Sequence, residues 1–125
     1  MSRRPPASPS ASSPSDAVFA AVAKYFSLLA EPTRLRILNA ICKDERSVSR
    51  IVRETGATQP NVSRHLALLH QAGVVSRRRD GNAVYYKVDD PVFAEVCRSV
   101  CLQLAGGIDA GRPLVRELLA FAHQH

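Results

Sequence analysis

Residues 58–73, TQPNVSRHLALLHQAG, followed directly by residues 74–88, VVSRRRDGNAVYYKV, decide how this chain is to be read. In the first stretch Thr58 is a helix cap, Pro60 suits a first helical turn, and Val62, Leu66 and Leu69 recur at the spacing of one buried stripe, with Gly73 as the stop. In the second stretch the period changes from helical to alternating. Val84, Tyr86 and Val88 would share one face of a strand, and the DGN at 80–82 is turn chemistry for a β-hairpin. Immediately upstream, SVSRIVRETG at 47–56 offers Ser47 as a cap and Gly56 as a left-handed stop. Two short helices joined by a tight Gly-containing turn and followed by a hairpin predict a winged helix-turn-helix, in which the second helix enters a major groove.

Charge supports that reading. The chain has 125 residues and a formal net charge of +6. Residues 59–88 carry five basic residues (Arg64, Arg77, Arg78, Arg79 and Lys87) against Asp80 alone, a net of +4; Arg3 and Arg4 supply the remaining +2, and the rest of the chain balances. An excess gathered into one segment and one tail is the footprint of a surface for a polyanion. With Val62, Leu66 and Leu69 turned inward, Arg64 and Gln71 point nearly opposite, Ser63 and Asn61 flank them, and Gln59 stands at the N-terminal end. Arg64 suits guanine, Gln59 and Asn61 suit adenine, and Ser63 suits a base or a phosphate. Arg77 and Arg79 would reach DNA from the wing, with strand alternation sending Arg78 to the other face. His65 and His70 lie nearer the buried edge, where packing and phosphate contact are both open readings.

Outward from this centre, a helix is predicted from an Asp16 cap to about Ala30, burying Val18, Val22, Phe26 and Leu29. A second, over about 32–43 in EPTRLRILNAICK, places Leu35, Leu38 and Cys42 on one face with Ile41 beside them. After the hairpin a helix from Pro91 buries Phe93, Val96, Cys97, Val100 and Leu104 and stops at Gly106 and Gly107; a last one from Pro113 turns Leu114, Leu118 and Phe121 inward. The fold class is therefore mainly α with a β-hairpin wing: four helices, a hairpin, a fifth helix and a C-terminal helix. Three segments follow: a Pro/Ser-rich disordered tail over 1–15, a DNA-binding and dimerisation domain over 16–105, and a linker with a helix over 106–125.

The opening Arg3 and Arg4 lead into a Pro/Ser run, where a secretory signal would need an apolar region, and no apolar run approaches the roughly 18 residues of a membrane span. A cytoplasmic protein is expected. Its three cysteines, Cys42, Cys97 and Cys101, would start as thiols there. No paired carboxylates, phosphate loop or nucleophile with an oriented base can be placed on these elements, so an enzyme is not expected.

The segments LAEPTRLRIL (29–38), QPNVSRHLALLHQAGVV (59–75) and RRDGNAVYYKV (78–88) together resemble the ArsR/SmtB family of winged-helix repressors, over roughly residues 17–105. The resemblance implies a homodimer joined through the first and fifth helices, bound to a double-stranded DNA operator and released by an inducer. It also shows two departures. Where many arsenic- and cadmium-sensing members carry a Cys-x-Cys pair, ERSVSRI has Ser47 and Ser49; and VFAEVCRSVCLQL lacks the histidines used by zinc-sensing members on the fifth helix.

What remains is CRSVC at 97–101, with Cys42. Residues four apart lie on one face of a helix, about 6 Å apart along its axis. Two thiolates can hold a soft ion such as As(III) or Sb(III), although closed thiolate sites usually take three or four ligands, so Cys42 or the partner subunit would complete the set. A redox or persulfide switch joining Cys42 to Cys97 or Cys101 is the second reading, and plain packing of small apolar side chains the third. His123 and His125 would add metal ligands or simply form a solvated end. A DNA-binding regulator without a small-molecule sensor is also open.

Overall fold

In a computed structural model, which describes residues 15–107 and 111–124, the elements follow the predicted order with one addition. Helix α1 covers Asp16–Leu29, α2 Pro32–Ala40, α3 Val48–Thr55, α4 Gln59–Gln71, α5 Pro91–Gly106 and α6 Pro113–Gln124. Strands β2 (Val75–Asp80) and β3 (Ala83–Val88) form the hairpin, and a two-residue strand β1 (Arg46–Ser47) adds to β3. The sheet is antiparallel in the order β1-β3-β2. The predicted tail lies, except for its last residue, outside the described residues, as does His125.

The helix-turn-helix closes as local chemistry dictates. Ser47 Oγ accepts the Arg50 amide at 3.2 Å to start α3, and Gly56, at φ 74°, ends it in a conformation that costs most other residues. Thr58 Oγ1 then accepts the Asn61 amide at 3.4 Å to start α4. Val62, Leu66 and Leu69 are completely buried, as predicted, and pack with Ile37, Leu38, Ile41, Ile51 and Phe93 in one core. Gly81, at φ 62°, makes the hairpin turn between Asp80 and Ala83.

Several expectations are corrected. The cap of α1 is Ser15, whose hydroxyl accepts the Val18 amide at 3.4 Å, and Asp16 is the first helical residue, where its charge favours the helix dipole. Helix α2 stops at Ala40 because the Ile41 carbonyl is engaged by the Val88 amide at 3.2 Å, tying the end of the sheet to the core. The stripe expected inside on α1 is largely open: Val18, Val22 and Phe26 are about half exposed at 48%, 48% and 54%, and only Leu28 and Leu29 enter the core. On α5, Phe93 is buried, Val96 and Cys97 are partly so, and Val100 and Leu104 face outward. Helix α6 packs on α5 through Val115 and Ala122, with Leu118 and Phe121 half-buried; Leu114 lies outside, so the contact stripe is turned from the predicted one.

Candidate nucleic-acid interface and thiol cluster

Because α4 is pinned along one side by its three buried aliphatic residues, its other side is presented rigidly. Gln59, Ser63, Arg64 and Gln71 are exposed, and Asn61 is half-buried at the first turn. Arg64 Nη2 donates to Asn61 Oδ1 at 2.9 Å, which links two of the predicted reading residues on one face. His70 is exposed, but His65 is not. Its Nε2 lies 3.6 Å from Glu31 Oε2, at the start of α2. Burial lowers the His65 pKa and the cations Arg34 and Arg64 push the same way, against the attraction of Glu31. The Glu31 carboxyl is held below its usual range mainly because it caps α2, accepting the Thr33 and Arg34 amides at 3.1 and 2.9 Å. His65 therefore packs α4 onto the start of α2.

In the wing, Arg77 pairs across from Tyr86, Arg78 from Tyr85 and Arg79 from Val84. Arg77 and Arg79 thus share one face and Arg78 the other, as alternation requires. All three are exposed, but they differ in partners. Arg78 makes a bidentate pair with Glu45, at 3.0 Å from Nε and 2.6 Å from Nη2, while its guanidinium lies 4.7 Å from the centre of the Tyr85 ring. That bond lowers the Glu45 pKa. Arg78 is consequently a fastener between the wing and the loop before β1, and Arg77 and Arg79, like Lys87 on β3, are wing cations left facing solvent.

The cysteines occupy a different region. Cys42 follows α2, Cys97 and Cys101 lie on α5, and all three are half-buried and outside any disulfide. Cys42 and Cys97 both pack against the core. The Cys97 thiol is pushed up to about 11, first by burial and then by the charges Cys101 and Cys42 would carry; burial also raises Cys42 and Cys101. A charge on either neighbour is thus felt at Cys97, and at neutral pH all three would be thiols. Among the described residues, however, no group of three or more His, Cys, Asp and Glu side chains is arranged to hold one metal ion. His123 lines a cleft with Arg98 and Leu102 of α5, and its Nδ1 is 2.6 Å from the Leu119 carbonyl in its own helix.

Sequence reasoning passed over one contact beside this cluster. Tyr25 on α1 donates to Asp90 Oδ2 at 2.9 Å, while Asp90 Oδ1 caps α5 by accepting the Val92 amide at 2.9 Å. Burial, with Asp90 next and Cys97 contributing, pushes the Tyr25 hydroxyl to about 12, so it remains a donor. The two residues are 65 positions apart, and no local pattern announces such a pair.

Comparison with known proteins agrees with the fold. The pattern described as "Bacterial regulatory protein, arsR family" matches residues 31–77, from the start of α2 into the wing. A probable mercury resistance operon repressor of Streptomyces lividans is 45% identical over 74 residues, 59% of this chain and 59% of that protein's own length. The crystal structure of Rv0081 from Mycobacterium tuberculosis superposes with a TM-score of 0.67 at 36% identity, over 74% of this chain and 97% of that one. NolR from Sinorhizobium fredii gives a TM-score of 0.63 at 28% identity, over 78% of this chain and 93% of the other. With its helix-turn-helix, its three-stranded wing and these likenesses, the chain belongs to the arsR family of bacterial regulatory proteins.

Proposed function

We propose that this protein is a homodimeric, cytoplasmic transcriptional repressor that binds an operator through α4 and the wing and leaves it when a thiol-reactive inducer acts at Cys97. The observation that carries the first part is the rigid presentation of α4, whose polar face is exposed while its aliphatic face is wholly buried. Gln59, Asn61, Ser63 and Arg64 read the major groove, and Arg77 and Arg79 contact the backbone beside it. The second copy covers α1 and α5, whose exposed Val18, Phe19, Val22, Phe26, Val100 and Leu104 are too large an apolar surface for a lone chain to leave in water.

The inducer reading rests on Cys97 having Cys42 and Cys101 close enough for their charges to matter. Arsenite, antimonite or another thiophilic ion fits a set of soft sulfur ligands, and the S. lividans relative is named for mercury resistance. A three-sulfur site is not assembled among the described residues, so the ion would take two thiolates or gather a third by moving α5 or recruiting the partner. The closeness of Cys42 to Cys97 equally favours a second reading, in which oxidation or a persulfide bridges the loop after α2 to α5. A pair of sulfurs one turn apart on an intact helix is poorly placed for a direct disulfide.

The test is a DNA-release assay of reduced protein against arsenite, antimonite, mercury(II), zinc, persulfide and peroxide, for the wild type, the Cys97→Ser, Cys101→Ser double variant and Cys42→Ser. Release by an arsenite, antimonite or mercury arm that the double variant abolishes supports the metal reading. Release only by persulfide or peroxide, lost in Cys42→Ser, moves the assignment to the bridge. Identical release from all three proteins would remove the cysteines from the switch and leave a regulator gated by something else.

A further inference from the structure

The predicted DNA contacts lie on α4 and the wing, yet α4 also forms one wall of a cleft that neither accounts for. The cleft, ≈ 440 Å³, runs along Arg64, Ala67, Leu68 and Gln71, successive positions on one face of α4, and is closed on the other side by Arg34 of α2 with His65 between them. Arg64 to Gln71 is seven residues, about 10 Å of helix, which is room for a phosphate and its sugar. The geometry points to a phosphodiester site here: Arg34 holds a backbone phosphate of the DNA flanking the bases read by Arg64 and its neighbours on α4. This rests on the repressor reading above.

Four observations converge. Arg34 is a cation without a counter-charge, for it pairs with no carboxylate among the described residues, and its Nε is shut away from solvent without a hydrogen-bond partner. A guanidinium with no carboxylate partner beside an open cleft is a group that an incoming phosphate would pair with. Arg64 lines the same cleft and also stands on the exposed reading face, so the cleft is continuous with the predicted interface. Glu31, which caps α2 and lies 3.6 Å from His65, brings one negative charge to this end of α2, and the two arginines lining the cleft outweigh it. Ala67 and Leu68, the latter 41% exposed, give an apolar floor suited to a deoxyribose.

The experiment is a salt titration of operator and random-sequence binding for the full chain and for Arg34→Gln and Arg34→Lys, with melting temperature measured in parallel. Loss of one phosphate contact flattens the dependence of log K on log salt by about one unit per subunit engaged, so for a dimer the fold loss of Arg34→Gln should shrink roughly tenfold between about 50 and 200 mM salt. The loss should be similar on operator and random DNA, and Arg34→Lys should restore most of the slope. An Arg34→Gln protein with the wild-type slope overturns the site, whatever its affinity, because a merely structural arginine would weaken binding without releasing fewer counterions. If inorganic phosphate stabilises the wild type but not Arg34→Gln against heat at matched ionic strength, with no difference in slope, the cleft holds a free anion and the DNA contact is overturned. Absence of any salt-dependent DNA binding by the wild type would sink the repressor reading together with the site.

Discussion

At the scale of single residues, environment decides what each side chain does, even among residues of one type. Arg64 and Arg78 are both exposed arginines in the basic segment, but Arg78 is consumed by Glu45 and Tyr85, whereas Arg64 is bonded to the neutral Asn61 on an exposed face of α4. Replacing Arg64 with Ala should cost about 1 to 3 kcal/mol against the operator and relax its base preference. Competition with random DNA checks this; an equal loss there would reassign Arg64 to the phosphates. Cys97 carries a prediction of its own. Since burial comes first among the causes that raise its pKa to about 11, the thiolate fraction should grow about tenfold per pH unit through pH 8, 9 and 10. Iodoacetamide labelling of the Cys42→Ser, Cys101→Ser variant measures it, because that background keeps the burial. A rate already level by pH 9 would show an ordinary, solvated thiol.

At the scale of elements, the wing is held as a lever. β1 pairs Arg46 with Tyr86 and Ser47 with Tyr85, Arg78 locks to Glu45, and the Val88 amide bonds to the Ile41 carbonyl. These contacts leave Arg77 and Arg79 free on the opposite face from Arg78. Exchanging both for Gln should weaken binding to every sequence and lower the salt slope by about one unit per lost phosphate contact. A fluorescence-anisotropy titration from low to high salt would expose an unchanged slope, which would take both side chains off the DNA. The same elements show which features are legible locally. Caps at Ser47 and Thr58 and glycine stops are properties of a few adjacent residues, so the helix-turn-helix is legible directly in the chain. The short β1 is not, because two residues carry no periodicity and become a strand only by pairing with β3.

At the scale of the whole molecule, the apolar faces of α1 and α5 bear on how the reading heads are spaced. Phe26, 54% exposed, lies on the part of α1 that the core does not reach. Phe26→Glu should therefore leave the fold intact while placing a charge in the dimer contact, and sedimentation should find a monomer that binds a single half-site weakly. The wild type should bind a pseudo-palindrome with half-sites about 34 to 36 Å apart, or a multiple of that. A Phe26→Glu protein that stays dimeric would move the contact elsewhere. Tyr25, one residue before Phe26, ties α1 to the cap of α5, and its hydroxyl also feels Cys97. In the proposed dimer, a change at the thiols would thus have a short physical route to the surface that sets the separation of the two α4 helices. Coupling of about 1 to 3 kcal/mol along it would be ordinary for an allosteric repressor.

By itself the sequence determined the order of elements, the inward face of α4, the hairpin turn and the charged segment, since each follows from spacing, capping and turn chemistry within a dozen residues. Only the tertiary structure decided which cations stay free, because Glu45 reaches Arg78 across 33 positions and Arg34 meets Arg64 and His65 only when α2 packs on α4. It also decided that Cys42 neighbours Cys97 and that the stripes of α1 and α5 remain open. An apolar repeat reports that a face seeks cover, but whether that cover comes from the same chain depends on where every other helix lies, and that is a long-range outcome of packing.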